Sequence, residues 1–409
     1  MAPPRRATMD DDQALPWLAR PGARSWACGR SASVRDGEVR AYHASLPGYA
    51  PTPLAEVPAL AAALGAGRVF VKDESARLGL PAFKVLGASW AVRQVLARHG
   101  PAGAAPPPGL AGLRAMAASW PDLVLVTATD GNHGRAVARM ARLCGAPARV
   151  FVPAVTEPAT RAAIAEEGAK VVQVPGSYDD AVAAARQWAQ DRPAAALVQD
   201  MAWPGYEQVP GWIVDGYSSL FGELDTQLAK TGAASPALVA VPVGVGSLAQ
   251  AGVVHYRSGA EQGKATTEGC PGRGQNSAPR EPSSVTAVLS VEPVAAACLL
   301  ASLRAGAPVT VPTANTIMTG LYCGTVSSLA WPYLAGGLDA AIAVTDDEAR
   351  RAAADLGAAG ISSGPSGAAS LAGVRAALTG EGSAKRRSFL GVDSASVVVL
   401  LNTEAATSG

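Results

Sequence analysis

The chain has 409 residues, of which 49% are hydrophobic and 16% charged. That length supports a large core, divided most naturally between two lobes, while a formal net charge of +1 offers no field for a nucleic acid or other polyanion. Five cysteines, Cys28, Cys144, Cys270, Cys298 and Cys323, are scattered without a C-x-x-C pair, which indicates neither a zinc site nor a disulfide framework and fits a reducing cytoplasm.

Residues 1–40 carry Arg5 and Arg6 and then Asp10, Asp11 and Asp12, and read as a flexible arm without the apolar run of a secretory signal. Pro51, Thr52 and Pro53 introduce a helix predicted over Leu54–Leu64, closed by Gly65 and Gly67. Val69–Lys72 is a short strand, Ala88–Arg98 a helix, and Pro101–Gly109 a linker of Pro, Ala and Gly. Strand and helix then alternate: Leu123–Thr127, a helix from Gly134 to Cys144, Ala148–Val152, a helix from Pro158 to Glu167, Lys170–Val174, a helix over Tyr178–Gln190, and Ala195–Val198. A helix over Trp212–Leu228 precedes the strand Ala237–Val241, and Ala287–Val291 and Ser396–Leu401 complete the set. Such alternation means βαβ units and an α/β fold with mostly parallel, twisted sheets. The apolar stretch Ala237–Val254 contains Pro242 and glycines at 244, 246 and 252, so a strand and glycine loop explain it better than a membrane span. Residues 257–284 have almost no large apolar side chain and are expected to be a disordered insertion, with Cys270 inside it.

Five places bear chemistry. Lys84 stands between Phe83 and Val85 in PAFKVLGASW; a lysine with apolar neighbours either starts an amphipathic helix with its amine in water or has its charge removed, as in a Schiff base to an aldehyde cofactor. Thr129–Arg135, TDGNHGR, follows a strand where open α/β sheets bind ligands, and Asp130 and Asn132 either cap the next helix or face a ligand. His133 in the same turn reads as solvent-facing or as the partner of a loop carbonyl. Pro242–Leu248, PVGVGSL, leaves backbone N–H groups unblocked by side chains at a helix start; it is either a tight turn or a phosphate cradle, and it is neither a Walker A loop nor a complete G-x-G-x-x-G. Asp200 and Thr403 follow strands, and each reads as a ligand contact or as a cap or exposed terminus.

Taken together these strings, with VFVKDESARLGLPAFKVLGASWA from Val69, VQDMAWPGYEQVPGWIVDGY from Val198, SVEP from Ser290 and TIMTGLYCG from Thr316, resemble the fold-type II family of pyridoxal-phosphate enzymes, tryptophan synthase β-like in fold. Within that family the diaminopropionate ammonia-lyases are most similar, from about Tyr42 to Thr403. The resemblance implies pyridoxal 5′-phosphate on Lys84, Asn132 at the ring hydroxyl, Gly244, Val245, Gly246, Ser247 and Leu248 on the phosphate, and Thr403 facing the pyridine nitrogen. Asp130 and Asp200 would flank a substrate with two ammonium groups, and a neutral Lys84, its pKa lowered by desolvation, would remove the α-proton of an L substrate while Asp130 acts on a D substrate. His133 has no role in that scheme. The implied organisation is a larger cofactor-binding lobe from 41–86 and 177–409 with a smaller lobe from 87–176, in a cytoplasmic homodimer that takes an amino-acid substrate and no membrane or nucleic acid. The implied reaction is elimination of ammonia from 2,3-diaminopropionate to pyruvate.

Departures from the family pattern bear on the substrate. Met201 and Pro204 stand where Thr and Glu are usual, Thr325 and Pro365 where acids are usual, and Asn402 and Ala405 break the usual STEG string. Fewer acids near the site leave a dehydratase or β-replacement enzyme acting on serine, threonine or another β-substituted amino acid as the second reading. Retention of Lys84, Asp130, Asn132 and Asp200 together argues against a catalytically silent binding protein.

Overall fold

The computed structural model describes residues 15–28, 33–99, 109–258 and 286–406. Most of the expected insertion, with Cys270, and residues 101–108 of the expected linker lie outside them.

Eleven strands are described: β1 Trp17–Ala19, β2 Leu54–Glu56, β3 Arg68–Asp73, β4 Val124–Ala128, β5 Ala148–Pro153, β6 Lys170–Val174, β7 Ala195–Leu197, β8 Leu238–Pro242, β9 Ala287–Pro293, β10 Ala340–Val344 and β11 Val397–Asn402. They form a seven-stranded sheet in the order β1-β10-β9-β8-β11-β3-β2 and a four-stranded sheet in the order β6-β5-β4-β7. All neighbours run parallel except the two edge strands, β1 and β2, which pair antiparallel. Strands β8 to β11 are buried along their whole length, as apolar runs such as Val397–Leu401 must be when helices cover both faces.

Several expected elements differ. Leu54–Glu56 is a strand held by β3, and the helix begins only at Pro58, running to Leu64 and closing on Gly65 in the left-handed conformation. Proline at the first helical position suits that start. Part of the expected N-terminal arm is ordered: Trp17 and Leu18 pair with β10, Trp17 packs edge-on against Phe389, and Ser33–Ala44 is a helix. A helix over Gly109–Ala118 and strand β10 were not anticipated. The expected helix Trp212–Leu228 is two helices, Gln208–Gly216 and Ser218–Lys230, meeting at Tyr217. The expected lobe boundary at 176 precedes the helix Tyr178–Gln190 and β7, yet β7 is hydrogen-bonded to β4 in the four-stranded sheet.

The long helix Lys84–His99 is fixed from two sides. A Cβ on Gly87 would lie 2.6 Å from Tyr217, and one on Gly216 would lie 2.6 Å from the Leu86 carbonyl, so two glycines let the helices Lys84–His99 and Gln208–Gly216 touch backbone to backbone. Ahead of it, the segment leaving β3 is tied by a buried ionic cluster. Lys72 Nζ is 2.7 Å from Glu223, and Arg77 bonds Glu223 at 2.7 Å and Glu74 at 2.6 Å. Charges this deep persist only when paired on all sides, and this cluster anchors the approach to Lys84.

Candidate active site

Chain segments leaving the carboxyl ends of β4, β7, β8 and β11 converge with the start of the helix Lys84–His99 on one cleft between the two sheets, enclosing about 810 Å³ with its open mouth. Parallel sheets place ligands at such ends. Its wall includes every site residue expected from sequence: Lys84, Asp130, Asn132, Asp200, Gly244, Val245, Gly246, Ser247, Leu248 and Thr403.

At one end lies the β8 loop. Gly246 takes φ +101° and caps the helix Ser247–Arg257 without a side-chain hydrogen bond. A Cβ there would meet Leu334 at 2.8 Å and Ala330 at 3.2 Å, so glycine is required both by conformation and by space. Its first-turn N–H groups have no partner within the helix and point the positive end of the helix dipole at the cleft. A helix start of this kind can hold a phosphate. Among the described residues, the only lysine or arginine lining the cleft is Lys84.

Lys84 Nζ donates to Asp200 Oδ2 at 2.7 Å. Burial works against the ammonium, but Asp200, with help from Tyr217 and Asp130, outweighs it and raises the Lys84 pKa. The expectation of a lysine made neutral by desolvation is therefore overturned for the free amine, because a carboxylate sits within hydrogen-bond reach. Asp200, although burial pushes it up, is drawn down to about 2, chiefly by Lys84. Asp130 goes the other way, to about 7, because burial and the charges of Asp200 and Glu404 outweigh Lys84. Two carboxyls in one cleft are thus set in different protonation ranges. Together with Asn132, Lys84 and the cradle present what a phosphorylated aldehyde needs: an amine, a polar contact for the ring and a phosphate site.

Glu404 and Tyr178 in the cleft had no place in the sequence expectations, and His133 had no part in the expected reaction. Glu404 accepts from Asn132 Nδ2 at 2.8 Å and from the Ser366 backbone N–H at 3.2 Å, and burial raises its pKa against these donors and Lys84. Its acid was visible in NTEA, directly after Thr403, but only its neighbours Asn402 and Ala405 entered the reading, as departures from the family string. Tyr178 accepts from Gln199 Nε2 at 2.8 Å and reaches Asp200 Oδ1 at 3.4 Å. The Gln199 carbonyl in turn accepts from Ala128 N–H at 2.9 Å, which sets the orientation of its amide. His133 does satisfy a loop carbonyl, that of Val198 at 2.8 Å, but it is buried in the cleft wall and does not face solvent. None of Met201, Pro204, Thr325 and Pro365 lines the cleft. Thr325 bonds Thr310 at 2.9 Å and Pro365 starts the helix Pro365–Leu378.

A family model described as pyridoxal-phosphate dependent enzyme matches residues 45–401. The diaminopropionate ammonia-lyase of Salmonella typhimurium is 34% identical over 337 residues, covering 79% of this chain and 76% of that one. An L-threonine dehydratase of Mycobacterium tuberculosis is 31% identical over 255 residues, covering 61% of this chain and 52% of its own. Among solved structures, diaminopropionate ammonia-lyase from Escherichia coli in complex with D-serine aligns with a TM-score of 0.81 at 28% identity, over 95% of this chain and 93% of that one.

Proposed function

Because the chain belongs to the pyridoxal-phosphate dependent enzyme family, an elimination enzyme with that cofactor is the premise from which we propose the substrate: 2,3-diaminopropionate, converted to pyruvate and ammonia. One observation carries the choice. Three carboxylates, Asp130, Asp200 and Glu404, share the cleft with one ammonium, Lys84, and that ammonium loses its free charge when it binds an aldehyde. A cleft with surplus acid favours a substrate with two ammonium groups over serine or threonine, which have one. The residues missing from the family pattern stand outside the cleft, so their loss does not remove this acid.

When bound, pyridoxal phosphate supplies an electron sink that acidifies the α-proton of an attached amino acid. Lys84 would hold its aldehyde, Asn132 its ring hydroxyl, Thr403 its ring nitrogen, and the N–H groups of Gly244 to Leu248 its phosphate. Freed by the substrate, Lys84 takes the α-proton of the L isomer, and Asp130, able to be unprotonated near neutral pH, serves the D isomer. Asp200 anchors the second ammonium, which departs as the leaving group. The smaller lobe is proposed to extend to about residue 197, with a homodimer as the working assembly.

Pyruvate and ammonia release from D- and L-2,3-diaminopropionate, serine and threonine, measured on protein saturated with pyridoxal phosphate, tests this. Diaminopropionate should lead by about 100-fold in kcat/KM, the scale of a charge contact made or left unpaired. Turnover of serine or threonine with none of diaminopropionate rejects the reading in favour of a dehydratase, the activity named for the threonine dehydratase relative. Lys84→Ala should lose both the visible cofactor band and turnover.

A further inference from the structure

His133 lies in the first turn of the helix Asn132–Cys144, lines the cleft and is 3% exposed. Its Nε2 is 2.8 Å from the Val198 carbonyl oxygen. A carbonyl only accepts, so Nε2 carries the proton, and in the neutral ring Nδ1 carries the lone pair. Nδ1 has no hydrogen-bond partner and stands 3.9 Å from Asp200 Oδ2. A buried acceptor left without a donor is unfavourable. In a cleft wall it is a place prepared for an incoming N–H.

A diamino acid brings such groups. Its α-ammonium must give up a proton before the nitrogen can take the place of Lys84, whereas the complete reaction, diaminopropionate cation and water to pyruvate and two ammonium ions, releases no net proton. The proton lost at the start can therefore be held in the cleft and returned at the end. We propose that His133 Nδ1 is that store: an N–H bond of the α-ammonium breaks, an Nδ1–H bond forms, and the imidazolium stands against the Asp200 carboxylate until the proton leaves on the α-nitrogen as ammonium. This rests on the diamino acid reading above.

The other titratable groups of the cleft are less suited. Asp200 already accepts from Lys84, Tyr178 and Gln199, Glu404 from Asn132 and Ser366, and Tyr178 is a donor with a strongly raised pKa. Asp130 is the competing acceptor. Burial lowers the His133 pKa, and so does the Lys84 charge, against Asp200 and the Val198 bond. Removal of the Lys84 charge by the cofactor therefore makes the ring more basic at the stage when substrate arrives.

His133→Gln keeps an amide donor that can reach Val198 and has no base; His133→Asn places an amide nearer Nδ1 and serves if the first variant misfolds. Both are compared with wild type as holoenzymes, by the pH profile of kcat/KM for L-2,3-diaminopropionate and by the rate of the first change in the visible band after mixing. In the variants both rates should fall by about 10- to 100-fold near neutrality, as for loss of a proton acceptor. They should recover as rising pH delivers the substrate already deprotonated, so the acid limb steepens by about one proton. Losses that are parallel at every pH mean a structural histidine and overturn the proposal, as does a steepened limb in Asp130→Asn with none in His133→Gln. If wild type does not turn over diaminopropionate, the substrate reading falls and this inference with it; if it does and the profiles stay parallel, the inference falls alone.

Discussion

Lys84 Nζ and Asp200 Oδ2 face each other at 2.7 Å across 116 residues of sequence, one from the helix after β3 and the other from the loop after β7. The pair holds the amine in its charged form before any cofactor arrives, although a Schiff base forms only from the neutral amine.

Asp200→Asn should accordingly let the cofactor attach at lower pH. With the carboxylate gone, burial is left to depress the lysine, and the pH at which the visible band develops half-maximally should fall by about one unit or more. Turnover should drop by about 100-fold because the same carboxylate is proposed to hold substrate. A band that develops at unchanged pH contradicts the electrostatic role.

Asp130 makes a stability prediction. Its folded pKa of about 7 lies above the ordinary aspartate value of 3.8, so between these limits the folded state binds more protons than the unfolded one. Stability contributed by this group is present below about pH 4 and lost as pH rises through about 7. Asp130→Asn, which cannot ionise, should melt above wild type at about pH 8 in the cofactor-free protein, with the gap closing towards about pH 4. On activity the same change should reduce turnover of the D isomer more than that of the L isomer; equal losses contradict the assignment.

Glu404→Gln separates charge from shape. The amide retains hydrogen bonding to Asn132 or Ser366 but removes one of the three acidic groups of the cleft. The KM for diaminopropionate should rise by about 10-fold, the effect of weakening a partly screened attraction by about 1–2 kcal/mol, with little change for serine. Equal increases for both substrates would place Glu404 among the purely structural groups.

Gly246→Ala tests the cradle. It forces a side chain into φ +101° and within 2.8 Å of Leu334, at a cost of about 1–3 kcal/mol. A thermal melt should show that loss, and spectroscopic titration should show weaker pyridoxal phosphate binding. Unaltered affinity would mean that the phosphate sits elsewhere.

Much of the fold was legible in the sequence. Strands such as Lys170–Val174 and helices such as Tyr178–Gln190 coincide with their expected limits, because alternating apolar runs and glycine stops are local signals. Elements that depend on a distant partner were not legible. Leu54–Glu56 is too short to declare itself a strand without β3, and Trp17–Ala19 is a strand through its pairing with β10. The break at Tyr217 reflects Gly87 and Gly216 meeting across the core.

The sequence by itself determined which residue types stand at the ends of the strands, and hence the lysine, the glycine cradle and the two aspartates, because those motifs are contiguous and carry their chemistry with them. Only the tertiary structure decided their charge states and company. It put Asp200 on Lys84, left His133 with a bare nitrogen, and brought Glu404 to Asn132 across 272 residues. Burial and Coulomb interaction depend on distances between side chains, and distance along the chain does not contain them.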